Sequence, residues 1–141
     1  MRRLWLASAS PRRAQLLASI GVQIYQVIRP HIDETPRSGE LPADYVRRMA
    51  SEKAAVGWQR LSLQDRPLAA LLAADTSVVL DRRILGKPDN AEHARQMLAL
   101  LSGREHQVLS AVTVITDNGI HDVLSESRVR FAILSDADID A

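Results

Sequence analysis

The chain contains no cysteine, which excludes disulfides and thiolate metal sites. Aromatic residues make up only 4 % of it, with a single phenylalanine, and lysine is scarcer still. Of 18 Lys and Arg residues, only Lys53 and Lys87 are lysines. No apolar run approaches the roughly 20 residues of a membrane span. The opening "MRRLWLASASP" has a hydrophobic stretch too short for a secretory leader. Neither sign of charge dominates. With a formal net charge of +1, no overall field draws the chain to nucleic acid or to a membrane surface. The expectation is a soluble protein of a reducing compartment, the cytoplasm.

What is present is ordinary for one globular domain: 141 residues, 46 % hydrophobic and 25 % charged, enough to bury a single core. Residues 4–7 read as a short buried strand. Residues 11–20 read as a helix with Ser10 as N-cap, Pro11 at the first position, Leu16, Leu17 and Ile20 on one face and Gly21 as the stop. Residues 22–28 alternate like a second strand. The proline-punctuated stretch "RPHIDETPRSGELP" is a loop, and a helix is expected from Asp44 to about Gln59. In "LAALLAADTSVVL" (68–80) the second half reads as a buried strand, turning at 81–83 into Ile84–Leu85. A helix over 91–101, begun by Asp89 or Asn90, ends at Ser102–Gly103. Two strands, 107–116 and 120–134, flank the turn "DNG" and form a hairpin. Ser135 then caps a short helix beginning with Asp136 and Asp138. Helix and strand alternate throughout, so the fold class is α/β.

Several positions run against local rules. Arg12 and Arg13 occupy the first turn of a helix, where the backbone already carries partial positive charge. Two readings are open. Either both arginines are solvated or paired with carboxylates, or they join Ser8, Ser10 and the free N–H groups of the helix start in holding a phosphate. Asp75 lies within "LLAADTSVVL", where an unpaired carboxylate would be costly. It bonds the turn or the adjacent Thr76, lies at a strand end facing a cleft, or pairs with a cation or metal. In "HIDE" (31–34), His31, Asp33 and Glu34 offer donors suited to a hard divalent ion, or simply a solvated loop. Lys53 follows Glu52 on a helix, and Lys87 stands in "LGKPD", which is not a P-loop. Arg104 and His106 read as structural or rim residues.

Taken in order, "LASASPRR", "IDE", "SEKA", "AADTSVVL" and "LGKP" followed by "LSGREHQV" resemble the Maf-like nucleotide pyrophosphatases from residue 4 onward. The resemblance implies an elongated mixed-sheet α/β domain with a deep cleft, like the inosine triphosphatases. It implies hydrolysis of a nucleoside triphosphate between its α and β phosphates, with a divalent metal cation (Mg²⁺, Mn²⁺ or Co²⁺) as cofactor, and a homodimer. By position, Ser8, Arg12 and Arg13 hold the substrate phosphates, and Lys53 and Lys87 line the cleft. Glu34 and Asp75 are then the metal ligands, with Asp75 also accepting a proton. Arg12 and Thr76 are the specificity positions. The "SPRR" form belongs to the branch that prefers dTTP and UTP, whereas the branch preferring 7-methyl-GTP usually replaces the first arginine. Family members continue past a helix like the one at Ser135 with a segment of the type "EP.DKAG.Y.IQG", so residues 1–141 read as one Maf-like domain without its C-terminal part. A nucleotide-binding or division-regulating protein without turnover is the second reading.

Overall fold

The computed structural model describes residues 2–86 and 88–140. Strands β1 (Arg3–Ala7), β2 (Gln26–Ile28), β3 (Ala69–Leu80), β4 (Arg83–Leu85), β5 (Glu105–Thr116) and β6 (Gly119–Arg130) form one mixed sheet. Helices α1 (Pro11–Ser19), α2 (Pro42–Arg60), α3 (Ala91–Leu101) and α4 (Asp136–Asp140) punctuate them. The sheet runs β2-β1-β3-β5-β6, with β4 also on β3. β1 is parallel to β2 and β3, and every other pairing is antiparallel.

β3 is the axis of the molecule. All twelve of its residues are extended, including the first half that the sequence left undecided, because a continuous apolar run carries no period of its own. Its odd-numbered residues from Ala69 to Val79 are buried and face α2. That helix presses Tyr45, Val46, Met49, Ala50 and Ala54 onto the same side. Two clusters fill the layer between them, one around Trp5, Leu71 and Ile115 and one around Met49, Leu109 and Ala111. Gly57 belongs to this contact. A Cβ there would come within 2.9 Å of the Ala7 Cβ and 3.0 Å of Leu71 Cδ1, so glycine lets the helix touch the sheet.

α1 forms where the sequence placed it, with its apolar face largely open. No α1 residue is buried; Leu16 is 60 % and Ile20 73 % exposed. A groove of about 1530 Å³ runs between Ala14 and Ala18 on α1 and Leu4, Tyr25 and Val27 near the sheet edge. Periodicity located an apolar stripe but could not supply its partner. Ser10 has the extended backbone of an N-cap but makes no side-chain capping bond. The second strand is also shorter than expected. After Gly21, at φ +83°, the chain must turn before joining β1, and only Gln26–Ile28 pairs as a strand. β6 likewise ends at Arg130, short of Phe131 and Ile133. The other turns follow expectation. Asn90 Oδ1 accepts the His93 N–H, and Ser135 and Asp138 cap each other reciprocally.

Candidate functional site

The site forms where one strand stops and its neighbour continues. β1 pairs with β3 as far as Ala7 opposite Ala73, and β4 takes up the same edge of β3 only at Val78. β5 occupies the opposite edge along this stretch. Residues 74–77 are therefore left unpaired on one side, a gap in the sheet. Asp75 and Thr76 sit in it, and adjacent strand residues point to opposite faces. Asp75 is thus mid-strand, not at the terminus the sequence suggested. The strand end that opens the cleft belongs to β1.

On the α2 face, Asp75 is buried. Lys53 Nζ donates to Asp75 Oδ1 at 3.1 Å and stands 3.2 Å from Glu34 Oε1. One ammonium thus bridges a carboxylate from β3 and one from the loop after β2. Burial pushes the Asp75 pKa up. The Lys53 charge and hydrogen bond oppose that, Glu34 reinforces it, and Arg13 opposes it. A cavity of about 430 Å³ opens here, lined by Glu34, Tyr45, Asp75, Ser77 and Leu85.

On the other face, the phosphate-binding candidates gather at the start of α1. The Ser8 N–H donates to the Ile28 carbonyl at 2.8 Å, tying the end of β1 to the end of β2. Ser8 is buried, and its Oγ accepts the Ser10 N–H at 3.0 Å. Ser8, not Ser10, therefore organises the turn before the helix. Arg13 Nη2 donates to Thr76 Oγ1 at 3.4 Å, and Thr76 Oγ1 lies 3.0 Å from Ser110 Oγ on β5. Arg12 is exposed and has no hydrogen-bond or ion-pair partner among the described residues.

The sheet gap thus brings together Ser8, Arg13, Thr76, Asp75, Lys53 and Glu34 from five separate segments. Within "HIDE", only Glu34 turns toward Lys53. His31 is exposed, and Asp33 Oδ1 accepts the Thr35 N–H. Arg104 pairs with Asp81 away from the gap. His106 is buried edge-on against Phe131, as a structural role requires. Lys87 lies outside the described residues. Sequence reasoning missed Tyr45 and Ser110. Tyr45 lies two helical turns before Lys53 on the same face, a spacing that could have found it. Ser110 is visible only once the β3–β5 register is known.

Residues 3–141 match the Maf-like protein family. The chain belongs to that family. It is 50 % identical to a dTTP/UTP pyrophosphatase of Shewanella oneidensis, covering 98 % of this chain and 72 % of that protein. It is 52 % identical to a dTTP/UTP pyrophosphatase of Methylococcus capsulatus, covering 99 % and 66 %. The Maf-like chain therefore spans between 66 % and 72 % of these relatives' lengths. Among solved structures it resembles a HAM1 protein from Coxiella burnetii, with a TM-score of 0.55 at 15 % identity over 91 % of this chain and 71 % of that one. The Staphylococcus aureus Ham1 protein gives 0.51 at 12 % identity over 91 % and 70 %. These likenesses show the mixed α/β fold.

Proposed function

We propose that this Maf-like chain hydrolyses dTTP and UTP to the monophosphate and pyrophosphate with the help of a divalent cation. The reading rests above all on Lys53 bridging Asp75 and Glu34 at the sheet gap, with Arg13 arriving from the opposite face. The relatives' activity supports the choice of substrate. Arg12 and Arg13 neutralise the phosphates, turning the unfavourable charge at the start of α1 into a favourable one. Ser8 shapes the turn that receives them, and Lys87 adds a further cation.

Water attacks the α-phosphorus, the bond from that phosphorus to the α–β bridging oxygen breaks, and pyrophosphate leaves with the bonding electrons. Asp75 takes the proton of the attacking water. Its raised pKa makes it a better base than an ordinary carboxylate.

The donor set fits a hard cation. Glu34 and Asp75 present oxygens that already converge on one ammonium, and no third His, Asp or Glu joins them among the described residues. Two carboxylates completed by substrate phosphates are the usual environment of Mg²⁺ or Mn²⁺. Such an ion supplies charge neutralisation and a more acidic bound water. In this reading, carried over from the family pattern, Arg12 and Thr76 discriminate among bases, and the cytoplasm is the compartment that offers these nucleotides.

The test is pyrophosphate release from UTP and dTTP with Mg²⁺ or Mn²⁺, with 7-methyl-GTP as control. Release from the two pyrimidine nucleotides should fall about 10²–10³-fold in Asp75→Asn. Undiminished turnover by that variant would remove Asp75 from the mechanism. Nucleotide binding without any release would reduce the function to binding.

A further inference from the structure

Glu34 is the least supported member of the site. It lies in a loop without regular structure, and its side chain is 54 % exposed. Yet its carboxylate meets Lys53 opposite a buried Asp75. A free loop would leave that carboxylate wandering, and a misplacement of about 1 Å can cost on the order of 10²-fold in rate. Something must hold the backbone.

Two side chains of α2 do so. Tyr45 Oη donates to the Glu34 carbonyl at 2.6 Å, and Arg48 Nη2 donates to the next carbonyl, that of Thr35, at 3.1 Å. The Arg48 guanidinium is itself locked by two bonds to Glu40, Nε to Oε2 at 2.7 Å and Nη2 to Oε1 at 2.8 Å, and a longer one to Glu52 at 3.3 Å. Glu40 Oε1 also accepts the Arg37 N–H at 3.0 Å, so both ends of the 34–40 segment are fastened to one arginine. The guanidinium lies 5.7 Å from the centre of the Tyr45 ring, and that ring is buried with Met49 and Ala111. Burial and the nearby Asp75 and Glu34 charges raise the Tyr45 pKa, which keeps its hydroxyl a donor.

We propose that Tyr45 and Arg48 are positioning residues that hold the Glu34 backbone so that its carboxylate faces Lys53 and Asp75. This rests on the reading of those three groups as the hydrolytic site. Neither residue touches the Glu34 carboxylate. Both act through the main chain, from the helix that also carries Lys53. The clasp and the ammonium therefore share one rigid frame.

Tyr45→Phe removes one hydroxyl and keeps the buried ring. Arg48→Lys keeps the charge and loses the fork that holds Thr35 and Glu40 together. Each variant should lower kcat for UTP about ten-fold with KM changed less than about two-fold, and amide exchange at Thr35 should quicken while the middle of α2 keeps its protection. In a Glu34→Gln background, Tyr45→Phe should bring no further loss of turnover, nor of affinity for a non-hydrolysable UTP analogue, because the group it positions is already gone. A merely structural role would make the two losses additive. Wild-type kcat and wild-type exchange at Thr35 in both single variants would overturn the proposal, and so would additivity. Full turnover by Glu34→Gln would instead overturn the site reading beneath it, whatever the exchange shows.

Discussion

Asp75 carries two opposed demands. Its burial raises its pKa more than Lys53 and Arg13 lower it, so ionising it costs the folded protein. A carboxyl whose pKa is higher folded than unfolded contributes stability that is full below its unfolded pKa, about 4, and lost as pH rises through the folded value. Asp75→Asn should therefore raise Tm by a few degrees at pH 7, with the two melting curves converging at acid pH. Equal or lower Tm for the variant at pH 7 would mean that the Lys53 pair outweighs burial. With Asp75 as the proposed base, the same shift would set the acid limb of activity. Turnover should fall with decreasing pH through a midpoint above the ordinary aspartate value, and a pH–rate profile on UTP would place it. Stability lost to a buried charge and activity gained from it are then one property of one side chain.

At the scale of elements, the contact between α2 and the sheet decides where Lys53 stands. The approach is closest at Gly57, where an added methyl group would press on Ala7 and Leu71. Gly57→Ala improves helix propensity but overpacks this contact, and should destabilise the fold by about 1–3 kcal/mol in urea unfolding. A neutral or stabilising result would show that the helix can lift without consequence. Most of these elements were legible beforehand. Proline and glycine bracketed α1, Asp89–Asn90 announced α3, and Asp117–Gly119 announced the β5–β6 hairpin, because each signal is local. The pairing of Lys53 with Asp75 and Glu34 was not legible. It depends on how α2 lies across β3, which no spacing along the chain encodes. The exposure of the α1 stripe was not legible for the same reason, since a period names a face and not what covers it.

For the whole molecule, two acidic groups pull the pH dependence of stability in opposite directions. Glu40 is held at a pKa of about 2, chiefly by its hydrogen bonds from Arg48 and then by the Arg37 N–H. A lowered folded pKa contributes stability above the unfolded value, near 4.3, that is lost as pH falls through the folded one. Glu40→Gln should thus melt below the wild type at neutral pH, and the gap should close as pH falls from about 4 to about 2. A pH-independent gap would mean that packing, not charge, is what Glu40 contributes. Asp75 works against this over the range above, so the two titrations together shape the acid side of the stability curve.

The gap beside β3 also sets an order of assembly. The β5–β6 hairpin closes through a two-residue turn, a microsecond event. The parallel pairing of β1 with β3, which brings Ser8 and Arg13 up to Asp75, joins Arg3 to Ala69 and must first close the long intervening stretch of chain. The two walls of the gap meet only after that closure. In a refolding time course, strand content would therefore recover before nucleotide binding, and a destabilised variant could keep its circular dichroism while Ser8 and Arg13 no longer met the strand that carries Asp75 and Thr76.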